Sequence, residues 1–181
     1  MAKRFVYFDY KNTMYCKTVD VTWDRDCMAV NRALCNKEIY ESIPTQFKPA
    51  MVIDSYSYSN IAKTLIPNKL IFEGRVIKDV WNEFARCTDV NVLPPGVPEY
   101  FYMNALSTKQ ICFALSIKSC YDLYFNEETQ IGSSSRALIA CKMLVNQNKL
   151  DYLYDVDKFL YWYFVNCARP IEWDDTYWKE L

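Results

Sequence analysis

Apolar and polar residues alternate in two runs near the N-terminus, which is the pattern of half-buried β-strands. The runs cover residues 3–10 and 14–22, and their β-favouring positions are Phe5, Tyr7, Met14, Cys16, Val19 and Val21. Lys11 and Asn12 separate the two runs. A short polar break between two such runs is typical of a β-hairpin, so the sequence predicts a hairpin at the N-terminus.

Between Asp24 and Cys87 the pattern changes to a mixture of helical stripes and short apolar runs. The predicted helices cover residues 24–43, 59–65 and 76–87, and the predicted short strands cover residues 51–53 and 70–72. The third helix has the clearest pattern, a single apolar stripe made by Val76, Ile77, Val80, Trp81, Phe84 and Cys87. Pro44 and Pro67 end the first two helices, because proline cannot continue a helix.

After residue 92 only helical patterns remain. Residues 93–98 contain three prolines and a glycine, which predicts a rigid connector. Ser107 and Gln110 have the spacing of a capping box and precede helical positions that include Ile111, Tyr121 and Tyr124. Two more helices are predicted, one from Ser134 or Ser135 to Val145 and one from Asp151 to Cys167.

This order of elements predicts an α+β fold, or an irregular α/β one. Residues 1–92 combine the hairpin and the short strands with helices, whereas the half formed by residues 99–181 is expected to be all helical. Residues 93–98 join the two halves into one compact domain, since 181 residues are the length of one large domain.

Two residue types are nearly missing, and their scarcity excludes several kinds of chemistry. The chain has no histidine and three glycines. Without histidine it has no Ser-His-Asp triad, no imidazole proton shuttle and no His-bound metal. Gly74, Gly96 and Gly132 stand too far apart to form a phosphate-binding loop. We therefore expect no cofactor, and the net charge of −1 disfavours sequence-independent binding of nucleic acid.

The eight cysteines show neither a CxxC pair nor another metal-ligand spacing. The first residues, MAKRFVYFDY, do not have the pattern of an export signal. No apolar run is long enough to span a bilayer, so we expect no membrane contact. The expectation is a protein of the cytoplasm, or of a virion, whose cysteines are reduced and mostly buried.

One segment has a catalytic pattern: a hydrophobic strand that ends in Asp9, with Asn12 three residues later. It resembles the first acidic motif of the NYN/PIN-type metal-dependent nucleases, in which an aspartate at a strand end helps to hold a divalent cation. Residues 51–54 repeat the form and end in Asp54. The resemblance implies a Mg²⁺ site shared by Asp9 and Asp54, with Asn12 as a supporting ligand. The other interpretation is that these aspartates face solvent or cap turns.

Residues 131–136 place a run of small residues before a predicted helix, with Arg136 beside them. The start of a helix is a common binding site for phosphate or carboxylate groups. Serines at this position are also ordinary helix caps. Both interpretations stay open.

Residues 152–164 carry seven aromatic side chains, more than one buried helical stripe can hold. Some of them must face outward, and Tyr and Trp are enriched at interface hot spots. Beyond Pro170 the tail adds three more aromatic residues among acidic ones. The candidate partner-binding residues are Trp162, Trp173, Tyr177 and Trp178. The alternative is that the tail packs against its own domain.

These observations lead to two main hypotheses from different classes. The first is a non-enzymatic subunit of a larger assembly, which binds protein partners in a homo- or hetero-oligomer. A composition rich in Asn and Lys and poor in Gly indicates an A+T-rich coding sequence, so a phage or large DNA virus is the expected source. The assembly would then be a viral structural complex or a host-binding factor. The second hypothesis is a Mg²⁺-dependent nuclease that uses Asp9 and Asp54. A third, binding of single-stranded nucleic acid through stacked aromatic side chains, needs a basic groove, whereas the lysines and arginines are scattered and balanced by acidic residues.

Overall fold

The computed structural model describes residues 2–22, 28–54, 57–123 and 134–174. The strands are β1 (Ala2–Tyr10), β2 (Thr13–Val21), β3 (Ala50–Ile53), β4 (Ile71–Phe72), β5 (Arg75–Val76), β6 (Ser119–Asp122) and β7 (Ile171–Glu172). The helices are α1 (Met28–Ser42), α2 (Asn60–Thr64), α3 (Ile77–Arg86), α4 (Val97–Asn104), α5 (Thr108–Ser116), α6 (Ser134–Asn146) and α7 (Val156–Asn166). Short 3-10 helices cover Thr45–Phe47, Val90–Val92 and Leu150–Tyr154.

The predicted hairpin is present, and β1 and β2 pair along their whole length. Lys11 and Asn12 form the turn, with φ angles of 50° and 62°. Two consecutive positive φ angles define a type I′ turn, whose twist matches that of the paired strands. The turn therefore fixes the register, and with it the residues of each strand that face each side of the sheet.

Five strands form one mixed sheet in the order β3-β6-β1-β2-β7. β1 is antiparallel to β2 and to β6, whereas β3 is parallel to β6 and β7 is parallel to β2. β4 and β5 form a separate two-stranded ribbon. Because β6 lies between β3 and β1, the two halves of the chain share the large sheet.

Helices cover both faces of this sheet. Tyr7 of β1 belongs to a core cluster on one face that includes Leu138 of α6 and residues of α4 and α7. Its neighbours Val6 and Phe8 point the other way, into a second cluster with Ile39 of α1. Successive side chains of a strand point to opposite faces, so one hairpin supplies both cores.

The α+β class is confirmed, but the C-terminal half is not all helical, because it supplies β6 and β7. Tyr121, expected on a helix, lies within β6, where Ser119, Cys120 and Tyr121 are all buried. A strand covered on both faces loses the alternation that separates strands from helices in a sequence. Tyr124 lies outside the described residues.

Within the part of the chain that the structure describes, no helix has the length and apolar character needed to span a lipid bilayer. The seven cysteines in this part are free thiols, and five of them are buried, as expected: Cys16, Cys35, Cys120, Cys141 and Cys167. Burial raises the pKa of Cys141 to about 12, so this thiol stays protonated near neutral pH. Cys27 lies outside the described residues.

Candidate functional site

The two aspartates of the expected metal site lie at opposite ends of the sheet. Val6, Tyr121 and Val52 are level with one another in β1, β6 and β3. β1 is antiparallel to the other two strands. Asp9 and Asp54, which follow Val6 and Val52 in their strands, therefore lie on opposite sides of this row of residues. Five residues at about 3.3 Å each separate them by about 16 Å along the strands. Carboxylates that share one ion lie far closer, because each oxygen sits about 2–2.6 Å from the metal.

Each aspartate has a cationic side chain beside it. Asp9 Oδ1 lies 3.8 Å from Lys142 Nζ, and Asp54 Oδ2 lies 3.5 Å from Arg32 Nε. Asn12 is exposed in the hairpin turn. Among the described residues, no group of three or more cysteine, aspartate or glutamate side chains is placed to hold a metal ion. The structure thus does not bring Asp9, Asn12 and Asp54 together into one site.

Two of the four aromatic residues expected to bind a partner belong to the described residues, and both are buried in the chain's own cores. Trp162 is 3% exposed and Trp173 is 5% exposed. The Trp162 Nε1 group donates a hydrogen bond of 2.9 Å to Gln147 Oε1. Neither indole therefore offers a surface to another chain in this structure. Tyr177 and Trp178 lie outside the described residues.

Trp173 is held in its own domain by contacts of its ring and by hydrogen bonds of the residue before it. Its ring stands edge-on to Phe8 and Phe47, with centroid distances of 5.4 and 5.3 Å. The preceding residue, Glu172, accepts hydrogen bonds from the Thr18 backbone N–H at 2.9 Å and from Thr18 Oγ1 at 2.8 Å. As far as Trp173, the tail packs in cis, which is the alternative that the sequence left open.

The α7 helix has one buried aromatic face and one exposed apolar face. Phe159, Trp162 and Tyr163 are buried. Tyr161, Phe164 and Val165 are 74%, 54% and 61% exposed. Their spacing places them on one side of the helix, and we call these three residues the α7 face. The surplus of aromatic residues in this segment thus faces outward, as the sequence indicates.

A cavity of about 310 Å³ lies between the proline-rich connector, α3 and α7. Its walls are mainly apolar and include Trp81, Leu93, Pro94, Pro95 and Pro98. Glu99 of α4, Arg136 of α6 and Tyr163 of α7 supply its polar groups. A concave apolar site with a few convergent polar groups is the usual form of a small-molecule site.

The polar groups of this cavity interact with one another. Burial raises the pKa of Glu99, while its own backbone N–H, the Arg136 cation and a hydrogen bond with the Tyr163 side chain act in the opposite direction. Burial disfavours the Arg136 cation, but the nearby Tyr163 and Glu99 groups outweigh that effect and raise its pKa. The Arg136 guanidinium carbon also lies 5.3 Å from the centre of the Tyr7 ring, a cation–π contact. Arg136 therefore stays a cation at this site.

A second cavity of about 220 Å³ lies where β3 and β6 end. Arg32, Asn36 and Asp54 line it. The Arg32–Asp54 ion pair forms part of its wall, and the Tyr121 hydroxyl donates a hydrogen bond of 2.5 Å to Asn36 Oδ1. The opposite charges in this wall lie beside each other, so the cavity has little net charge with which to attract an ion.

Sequence reasoning found Arg136 but missed the residues that the fold brings to it. Glu99 follows Pro98 in the first turn of α4, where an acidic residue is ordinary because it favours the helix dipole. Trp81 lies in the apolar stripe of α3 and reads as a core residue. Only the packing of α3, α4, α6 and α7 joins these positions, and no local pattern signals it. Residues 131–133 of the expected anion-binding run lie outside the described residues.

No protein-family model matches this chain, and no curated protein resembles it in sequence. The function is therefore argued from the α7 face.

Proposed function

We propose that this chain is a non-enzymatic interaction protein, a subunit of a larger assembly that associates with a second copy of itself through the α7 face. The observation that carries the proposal is the exposure of Tyr161, Phe164 and Val165 on one side of a helix whose other side is buried. Large apolar side chains grouped on a surface mark interaction sites more often than scattered ones do.

The α7 face is ordered before any partner binds. Asp155 caps the helix by accepting a hydrogen bond of 3.3 Å from the Lys158 backbone N–H. Phe159 on the opposite side is fully buried and lies 5.1 Å from Tyr100, ring centre to ring centre. A helix fixed in this way loses little conformational freedom on association, which favours binding.

The charges around α7 favour an antiparallel pair of identical helices. The exposed charged residues are Asp151, Asp155, Asp157 and Lys158 near the start of the helix and Arg169 beyond its end. The start is net acidic, whereas beyond the end the basic Arg169 is followed by the exposed acidic residues Glu172 and Asp174. An antiparallel two-fold pair brings the acidic start of each helix towards Arg169 of the other and aligns the helix dipoles favourably.

In such a pair the middle of the α7 face lies on the two-fold axis. Tyr161 then packs against Val165 of the second copy, and Phe164 lies close to the axis. Tyrosine is a frequent hot-spot residue because it buries a large ring at a small entropic cost. The composition, rich in Asn and Lys, supports a viral source for the assembly.

Sedimentation velocity of the full chain over a range of concentrations tests the proposal. The test variant is Phe164→Glu, and the matched control is Val92→Glu, because Val92 is 75% exposed and lies outside α7. Burying a phenylalanine contributes about 1.5–3 kcal/mol, and a two-fold dimer loses two copies. We expect the dimer Kd of Phe164→Glu to rise by about two orders of magnitude or more.

The wild type and Val92→Glu are expected to dimerise alike, with unchanged thermal stability in both variants. A wild type that stays monomeric at high concentration contradicts self-association. Equal dimerisation of Phe164→Glu and the wild type contradicts the choice of this face.

A further inference from the structure

The segment after α7 is attached to the outer edge of β2 by a small set of contacts, and we call residues 171–174 the C-terminal strap. Its strand β7 has two residues, both exposed. The Trp173 backbone N–H donates a hydrogen bond of 2.7 Å to the Cys16 carbonyl oxygen. The Glu172 carboxylate accepts the two hydrogen bonds from Thr18, and Cys16 Sγ lies 3.4 Å from one of its oxygens. One backbone bond and one carboxylate thus tie the strap to this edge.

The Trp173 ring fills an aromatic pocket that other elements of the chain build. Four rings surround it at centroid distances between 5.3 and 5.6 Å: Phe8, Tyr10, Tyr15 and Phe47. They come from the N-terminal hairpin and from the 3-10 helix after α1. Trp173 belongs to the core cluster on the α1 side of the sheet, whereas the buried residues of α7 belong to the cluster on the other side. We call the β2 edge and this pocket together the strap receptor.

The contacts that hold the strap are the same whether strap and receptor belong to one molecule or to two. Arg169 and Pro170 join α7 to the strap, and Arg169 is exposed. A change of backbone angles in such a joint directs the strap to a neighbouring copy, where it meets an identical edge and an identical pocket. Exchange of an identical element keeps the contacts of the closed chain and costs mainly the entropy of association. Higher protein concentration therefore favours exchange.

We propose that the C-terminal strap also docks in the strap receptor of a second copy, and that this exchange is a second contact between subunits. The structure shows the chemistry of the occupant, because the chain's own strap lies on the receptor. A two-fold pair through the α7 face closes with two copies, so a larger assembly needs a contact of another kind. Strap exchange supplies that contact from surfaces outside α7. The inference goes beyond the α7 proposal and does not depend on it.

A disulfide trap in the full chain distinguishes docking within one molecule from docking between two. Cys16 and Glu172 are opposite each other in the register of β2 and β7. Neighbouring strands lie about 4.7–4.9 Å apart, within the Cα separation of about 4.4–6.8 Å found in disulfides. Glu172→Cys therefore allows a bond to Cys16. Isotope-labelled and unlabelled chains of this variant are mixed, incubated over a range of concentrations and treated with oxidised glutathione, and mass spectrometry counts the linked peptides.

We expect part of the linked peptides to carry the label on one side only. Their share should rise about tenfold for a tenfold increase in protein concentration, because exchange joins two molecules. Linked peptides that are always labelled on both sides or on neither would overturn the proposal, since the strap would then dock only in its own chain. Failure to form any link to Cys16 in the folded variant would contradict the position of the strap and with it the proposal.

Two further variants show whether the links come from the strap. Tyr58→Cys is the matched control, because an exposed thiol outside the strap that only collides with other chains does not reach the buried Cys16. Half-labelled links to Cys16 that are as frequent in this control would overturn the assignment. Tyr15→Cys with Ile171→Cys is the second trap if Glu172→Cys does not fold, since these residues are the other register pair of β2 and β7.

Adding Phe164→Glu to the trap variant separates the strap from the α7 face. We expect the share of half-labelled links to stay unchanged, because neither the strap nor its receptor includes a residue of α7. Loss of these links in Phe164→Glu would overturn the strap as a second, independent contact. Half-labelled links from a wild-type chain that does not dimerise through α7 would contradict the α7 proposal alone.

Discussion

Gly96 is the position where a single methyl group is expected to destabilise the fold most clearly. It precedes α4 with a φ angle of +101°, a conformation that side chains rarely adopt. A Cβ atom at this position would lie 2.7 Å from Tyr163 Cδ1 and 3.2 Å from Tyr163 Cβ. Tyr163 is 1% exposed and stacks on Phe159 at 5.9 Å, so a shift of its ring would disturb this packing.

The loss of stability in Gly96→Ala has two sources of known size. A non-glycine residue in this backbone conformation costs about 1–3 kcal/mol. Forcing an extra methyl group into a packed core costs about 1–3 kcal/mol more. The expected decrease in the free energy of unfolding is therefore about 2–6 kcal/mol, a large part of the 5–15 kcal/mol typical of a domain.

Gly74 provides a control that separates the two terms. Its φ angle is +81°, but no atom lies within 4 Å of its expected Cβ position. Gly74→Ala thus has the backbone cost without the steric one. Urea denaturation followed by circular dichroism measures both variants against the wild type. We expect Gly96→Ala to lose about 1–3 kcal/mol more than Gly74→Ala. Equal losses would refute the packing of Tyr163 against the connector.

Three further changes test other parts of the fold. Trp173→Ala is expected to lower the free energy of unfolding by about 3–5 kcal/mol and to leave the dimerisation of the folded chain unchanged. Urea denaturation measures the first effect and sedimentation velocity the second. A loss of association without a loss of stability would place Trp173 in an interface. Among the described cysteines, iodoacetamide at pH 8 should modify Cys87 and Cys112 first, because these two are exposed. The other five are buried thiols, and burial raises the pKa of several of them. Mass spectrometry that finds a buried cysteine labelled as fast as the exposed ones would contradict the packing. The double change of Lys11→Asn with Asn12→Gly gives the turn the residues preferred in type I′ geometry. We expect the free energy of unfolding to rise by about 1 kcal/mol, which raises the melting temperature by a few degrees. A lower melting temperature would argue against that turn.

The elements that the sequence predicts well are those with local signals. The hairpin follows from alternation, and the start of α5 follows from the capping box, which is present between Ser107 and Gln110. The last helix begins at Val156, five residues after the expected start at Asp151, because Asp155 provides the cap. Leu150–Tyr154 form a 3-10 helix before it. Capping residues locate the ends of these helices to within a few residues, but they do not determine which of two nearby aspartates caps the helix.

The elements that the sequence does not predict depend on distant contacts. β6 is buried on both faces, so its residues carry no alternation. β7 has two residues, both exposed, and exists because it pairs with β2 and is followed by the buried Trp173. The cavity is harder still to foresee, since Trp81, Glu99 and Arg136 are far apart in the chain and each has an ordinary local explanation. The sequence indicates that Asp9 and Asp54 follow strands, but it does not indicate that β1 and β3 run in opposite directions.

The most direct test of the α7 face is a photo-crosslink from its centre. Replacing Tyr161 with p-benzoylphenylalanine keeps an exposed aromatic ring, and the same replacement at Tyr58, which is 98% exposed elsewhere, is the matched control. After irradiation of the full chain, we expect a covalent dimer only from the Tyr161 position, with mass spectrometry placing the link within residues 156–169 of the second copy. A crosslink at another surface, or a chain that stays monomeric, would contradict self-association through α7.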